Sequence, residues 1–235
     1  NRSPLPLSYV WFQLDQNLGV ATVMTRLSRL GFIDLNNYTH LIMVDGRYSS
    51  ISKKQKQNIA LWVNNGGVLV TSQSAASWAE NLCFSPNDCD SEAAKAPVEE
   101  ATKAIPYGDF DDQRAKRIIG GAIVRATVDP THPIAYGYDD EMPLFRKGST
   151  LLKNSSNAFS TPVSYAQEPL ISGYIGEQRL NEMRGQAAVI AERRGKGVVI
   201  RFANNPIFRG FWSGTERLWV NALYFGPLIR NTELP

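Results

Sequence analysis

The chain has 235 residues, 43% of them hydrophobic, which is enough for the core of one large domain or two small ones and excludes disorder as the default. A net charge of +3, from 25 Lys and Arg against 22 Asp and Glu with no long basic block, gives no ground for a nucleic-acid partner. No apolar run approaches the roughly 20 residues that cross a bilayer, so no membrane span is expected.

No signal-peptide pattern is present, and the chain starts at Asn1 rather than Met, which fits a mature fragment or an excised domain of a longer protein. Residues 9–18 place Trp11, Leu14 and Leu18 on one helical face, and Gly19 can end that helix. A β-branched run follows at 20–25. Residues 41–44 read as a buried strand that breaks at Asp45, Gly46 and Arg47. Ser52 with Gln55 forms a capping box, opening a helix whose Ile59, Trp62 and Val63 face inward, before Gly66 and Gly67 lead into a strand at 68–71.

Between about 84 and 116 the periodicity fails, and Pro, Asp, Glu and Ala dominate. A structureless loop of that length is unusual in a compact domain, so it reads as a surface insertion with one short helix at 92–103. Strand signals return at 118–128, 150–153, 162–166, 169–175 and 187–191, close enough together to point to antiparallel additions. AERRGKG, residues 191–197, reads as a solvated hairpin turn before the buried run Val198, Val199 and Ile200. Asn204, Asn205 and Pro206 stop that strand. Ser213 with Glu216 fits a second capping box, and Leu218, Ala222 and Phe225 supply the face of the last helix.

Helices alternating with short apolar strands imply βαβ units. The expectation is therefore an α/β fold, flavodoxin-like or class I glutamine amidotransferase-like: a mainly parallel sheet with helices on both faces and extra β-strands in the second half. The whole chain, 1–235, forms one domain. Cys83 and Cys89 are either a small disulfide, which favours an oxidising compartment, or two thiols. With only His40 and His132 present, far apart, no metal-ligand spacing exists and no cofactor is expected in this chain.

In open α/β sheets ligands gather outside the carboxyl ends of the strands, which singles out the turns at 45–47, 72–76 and 204–206. Ser74, flanked by small residues, resembles the centre of a nucleophile elbow, although Ser72 and Ala76 depart from the glycine-rich form. A serine nucleophile needs a base. That gives a hydrolase reading in which Ser74 attacks, His132 takes the proton and Gly46 supplies oxyanion amides. His132 in THPIAYG also suits a loop-stabilising hydrogen bond. Phe208, Phe211 and Trp212 beside Arg209 offer an aromatic platform with a guanidinium, able to hold a peptide carboxylate or a sugar, or else they fill the space between sheet and last helix. The candidate ligand contacts are Asp45, Arg47, Asn204, Arg209 and Trp212.

Three turns carry a resemblance to the class I glutamine amidotransferase-like fold: LIMVDG where that family supplies oxyanion amides, VTSQSAA in the place of its cysteine elbow, and VVIRFANNP in the place of the strand that delivers its histidine. The resemblance puts Ser74 where the cysteine stands and Asn204 or Asn205 where the histidine stands, so amidotransferase activity is not expected. YTHLIMVDGRYS, DPTHPIAYGY, PLISGYI and FANNPIFRGFWSGTERLWVNALYFG together resemble the amidotransferase-like C-terminal domain of large bacterial zinc carboxypeptidases. That resemblance implies a non-catalytic accessory domain, docking to the peptidase domain of its own parent chain or binding a peptide or glycan. It also implies a periplasmic or secreted location, with zinc held only in the peptidase domain. The HxxE zinc pair of that family has no counterpart here, since His40 is followed three residues on by Met43 and His132 by Ala135.

Overall fold

The structure is a computed structural model that describes residues 5–85 and 104–230. The expected helix at 92–103, and Cys89 with any pairing to Cys83, lie outside the described residues. Seven strands form one sheet in the order β1-β2-β7-β6-β5-β3-β4. They are β1 His40–Met43, β2 Val68–Ser72, β3 Ile119–Val128, β4 Glu141–Gly148, β5 Val163–Gly173, β6 Ala187–Arg194 and β7 Gly197–Phe202. The α-helices are α1 Leu5–Phe12, α2 Lys53–Asn64, α3 Ser74–Ala79, α4 Phe110–Arg117, α5 Glu177–Met183 and α6 Glu216–Tyr224.

The three-layer arrangement follows from strands whose two faces are both apolar. On β2, Val68 and Val70 belong to one core while Leu69 belongs to the other, and on β7 Val198, Ile200 and Phe202 alternate in the same way with Val199. Successive side chains of a strand point to opposite faces, so a continuous apolar run demands cover on both. One face packs Ile59, Trp62 and Val63 of α2 with Ala75 and Ala79 of α3. The other packs Val10 of α1 with Leu218, Trp219 and Ala222 of α6.

The capping box of α2 is present: Ser52 Oγ accepts from Gln55 N at 3.3 Å and Gln55 Oε1 accepts from Ser52 N at 2.9 Å. Close approach fixes Gly197, where a Cβ would stand 2.0 Å from the Val63 carbonyl oxygen. The hairpin at 191–197 forms as expected, with Gly195 at φ +58 between antiparallel β6 and β7.

The α/β, flavodoxin-like expectation holds, but the sheet is not mainly parallel. β1–β2 and β2–β7 are the parallel junctions, while β7–β6, β6–β5, β5–β3 and β3–β4 are antiparallel. The runs at 162–166 and 169–175 are one long strand, β5, irregular in register against β3. Residues 150–153 give only an isolated bridge from Leu152 to Ala187. Strand β4 and helix α5 had no sequence signal strong enough to be read.

Three further expectations need correction. The helix at 9–18 is α1 followed by a π-helical turn, Gln13–Asn17, and Trp11 is 36% exposed rather than packed. The 20–25 run is not a paired strand. The capping box at Ser213 is absent: residues Ser213–Thr215 form a 3-10 turn, and Glu216 accepts instead from the Gln13 side-chain amide, tying α6 to the first helix.

Candidate functional site

The strand β2 ends at Ser72 and α3 begins at Ser74, so the residue on the sharp turn between them is Gln73. Its backbone sits at φ 54, ψ −121, a conformation that costs a non-glycine residue about 1–3 kcal/mol and persists only where its surroundings enforce it. Here they do. Gln73 N donates to Phe202 O of β7 at 2.8 Å, and Gln73 O accepts from Ala76 N at 2.9 Å. This strained strand-to-helix turn is the geometry of a nucleophile elbow, and the residue displayed is an amide. The assignment of Ser74 to that place is therefore wrong by one residue. Small neighbours drew attention to Ser74, whereas the strand end decides which residue is presented.

Ser74 has another task. Its Oγ accepts from Gly46 N at 2.7 Å and lies 2.5 Å from Asp45 Oδ1 and 2.8 Å from Gly46 O, either of which can take its single proton. The hydroxyl thus ties the loop after β1 to the first turn of α3. Tyr48 reinforces the loop by donating its hydroxyl to Val44 O. Burial, and then the Asp45 carboxylate, push the Tyr48 phenol up to about 12, so it stays a donor. Gly46 N points at Ser74 Oγ, not at a site where an oxyanion could form. Arg47 is exposed on the same loop.

Behind the elbow lies a buried polar group that the sequence did not disclose. Arg146 on β4 is fully buried, and its Nη1 donates to Ala203 O at 3.2 Å and to Asn204 Oδ1 at 3.0 Å, while Nη2 donates to Thr150 O. Tyr165 on β5 donates its hydroxyl to the same Asn204 oxygen at 3.1 Å. All these acceptors are neutral. Burial lowers the Arg146 pKa, with Tyr165 opposing that, and burial raises the Tyr165 phenol against the pull of Arg146 and Asn204. Arg146 Nε and Asn204 Nδ2 have no partner among the described residues. Asn204 therefore anchors a guanidinium and does not stand in for a catalytic base. Asn205 accepts from Ile207 N at 3.1 Å, a local turn contact.

The curl of the sheet brings its far edge back to this point. Gln73 Nε2 lies 3.5 Å from Lys147 O of β4, a long contact. Next to it, Phe145 meets Phe208 at 4.4 Å and Trp212 at 5.9 Å between ring centroids, with Phe211 5.9 Å from Phe208 and 62% exposed. Lys147 Nζ and the Arg209 guanidinium lie 5.6 and 5.3 Å from the Phe208 ring centre, within cation–π range. Arg209 is itself held at φ 54. The aromatic residues thus pack on β4 as well as forming a partly exposed surface with two cations.

His132 is not part of this end. β7 runs antiparallel to β6, β6 to β5 and β5 to β3, so the carboxyl end of β3 lies at the amino end of β7 and β2. His132 follows that end of β3, where its Nδ1 accepts from Ile134 N at 3.1 Å and caps a 3-10 turn. Ser74 and His132 are on opposite ends of the sheet, and the hydrolase pairing fails. His40, at the amino end of β1, has its Nε2 2.9 Å from Leu223 O, a structural contact to the last helix. Among the described residues no group of three or more His, Cys, Asp and Glu could hold a metal ion.

No family model matches this chain, and no curated protein matches it. Solved structures do. A ThuA-like protein from Parabacteroides merdae ATCC 43184 superposes with a TM-score of 0.55 at 13% identity, covering 100% of this chain and 90% of that one. A ThuA-like protein from Bacteroides uniformis ATCC 8492 gives 0.53 at 13% identity, with 96% and 87% covered. At that identity the likeness is one of fold. It overturns the resemblance to a carboxypeptidase C-terminal domain, because the shared architecture is that of ThuA-like proteins and no matching sequence supports the peptidase link. The peptidase partner, its zinc and the periplasmic or secreted location had rested on that resemblance and lose their support with it. No helix among the described residues is long and apolar enough to cross a membrane.

Proposed function

We propose that this chain is a non-catalytic ligand-binding module whose working surface is the one formed by Gln73, Lys147, Phe208, Arg209 and Trp212. The observation that carries the reading is Gln73. An amide, which is neither nucleophile nor base, occupies the strained position at which an elbow displays its reactive group. What remains on this surface is recognition chemistry: an amide with a donor and an acceptor, two cations and partly exposed aromatic rings. A peptide or glycan bearing a carboxylate and a flat apolar face matches that set.

The test pairs binding with turnover. Acidic peptides and acidic oligosaccharides are titrated against the wild type, Arg209→Ala and Lys147→Ala by tryptophan fluorescence, with p-nitrophenyl acetate as a general ester substrate. Saturable binding weakened by both substitutions, with no turnover, is the expected result. Ester turnover that Ser74→Ala abolishes sinks the reading.

A further inference from the structure

A second concave region lies at the opposite end of the sheet from Gln73. A cavity of about 650 Å³ opens between the 129–133 loop, the 155–160 loop, the end of β6 and residues 228–230. A second cavity of about 390 Å³ adjoins it, and the two share Ser155, Ser156, Glu192 and Arg194. Together they make a cleft longer than one small ring.

Two of the groups that line it keep capacity for a ligand. His132, 9% exposed, uses Nδ1 to accept the Ile134 N–H, so the neutral ring carries its proton on Nε2. That N–H has no partner among the described residues, and His132 forms part of the cavity wall. Burial holds its pKa below the ordinary value, against the pull of Asp129, and so favours the neutral donor. Glu192 is already taken: Ser155 donates to Oε1 at 2.6 Å, and Arg194 and Arg201 reach Oε2 at 3.0 and 3.3 Å. Arg193 is different. It donates to Ile229 O at 2.8 Å and Gly195 O at 3.3 Å, both neutral carbonyls, and forms no ion pair among the described residues, although the Asp129 carboxylate stands on the same wall. Phe159, 51% exposed, adds an aromatic face.

We infer that this cleft is a binding site for a sugar bearing a carboxylate. Hydroxyls of such a ligand need hydrogen-bond partners, which His132 Nε2 and the Ser156 hydroxyl supply. Its carboxylate needs a guanidinium not already paired with an acid, which Arg193 supplies. Its C–H face needs an aromatic ring, which Phe159 supplies. The site shares no residue with the surface around Gln73, so either proposal can fail alone.

Calorimetric titration of the full chain with D-glucuronate and with D-glucose tests the inference, each repeated on Phe159→Ala, Arg193→Gln and His132→Asn. The Asn side chain can still accept the Ile134 N–H, and Phe159 is exposed, so those two variants are expected to keep the wild-type melting curve. Saturable glucuronate binding, weakened about tenfold by Arg193→Gln and measurably by Phe159→Ala and His132→Asn, is the expected result. Leu61→Ala, 60% exposed on α2 and outside both proposed sites, should leave it unchanged. Equal binding of glucose and glucuronate overturns the inference, as does no binding of either up to about 10 mM, the weak end of specific recognition.

Discussion

Arg146 Nη1 donates to Asn204 Oδ1 at 3.0 Å across 58 positions of sequence, joining the edge strand β4 to the end of β7 although three strands lie between them in the sheet. The bond exists because the sheet curls, and it closes the end of the domain on which the elbow sits. A buried guanidinium held only by neutral oxygens is expensive to desolvate, so each of its hydrogen bonds matters more than an exposed one. Asn204→Ala should lower unfolding free energy by about 2 kcal/mol, the range for a hydrogen bond to a charged group. Tyr165→Phe should lose only about 1 kcal/mol, since Asn204 keeps its bond to Arg146. Urea denaturation of both variants checks the ranking, and a larger loss for Tyr165→Phe would contradict it.

Gln73 stores backbone strain that a glycine would not. Gln73→Gly should therefore hold or raise the melting temperature, a gain of about 1 kcal/mol from relieved strain being partly offset by the freer unfolded chain. Gln73→Cys restores a nucleophile to the elbow, yet no histidine follows β7, where Asn204 and Asn205 stand. Turnover of p-nitrophenyl acetate by that variant should stay at the level of a free thiol; a rate that saturates with substrate and depends on Asn204 would show that the surface still assembles a catalytic site.

Ser74 acts as a tie between the loop after β1 and the first turn of α3. Ser74→Ala leaves Gly46 N without its acceptor and should cost about 1–2 kcal/mol, read as an earlier urea midpoint with an unchanged slope.

Both histidines are held neutral. Burial lowers the pKa of His40, with the Leu223 carbonyl opposing, and lowers that of His132, with Asp129 opposing. In the unfolded chain each titrates near 6.5. Their contribution is thus fully present above that pH and is lost as pH falls from about 6.5 through the lower folded values, because the unfolded chain takes up protons first. The melting temperature should be flat between about pH 7 and 8 and fall on acidification to about pH 5, before most carboxylates titrate. His40→Gln with His132→Asn should flatten that fall, and an unchanged slope would show that other groups cause it.

Gly197 lies against backbone rather than against flexible side chains. A Cβ there would stand 2.0 Å from Val63 O and 2.3 Å from Gly67 O, so the end of α2 or the start of β2 must move. Gly197→Ala should cost more than about 3 kcal/mol, beyond ordinary overpacking, whereas Gly210→Ala, with nothing within 4 Å of its Cβ, should show only the strain of φ +64. Thermal melts of the two variants separate clash from backbone conformation.

Local pattern by itself determined several elements of this protein. The capping box at Ser52, the inward Ile59, Trp62 and Val63, and the all-apolar runs of β2 and β7 follow from periodicity and from backbone groups that must be satisfied, and all are where the sequence puts them. Strand direction was legible only in part: close spacing and the hairpin at 191–197 pointed to antiparallel additions, yet the sheet as a whole was expected to be mainly parallel. A short apolar run reads the same in either direction, so the balance of parallel and antiparallel neighbours could not be read from the runs themselves. The elbow residue was missed by one position because neighbouring small residues are a weaker signal than where a strand ends. Arg146 was invisible because nothing local marks an arginine as buried; its burial depends on a strand far away in sequence curling back over β7. The sequence thus specified which faces must be covered, since that depends on side-chain spacing alone. Which amide, guanidinium and aromatic groups meet at one end of the sheet was decided only by tertiary structure, since curl and register are properties of the whole sheet.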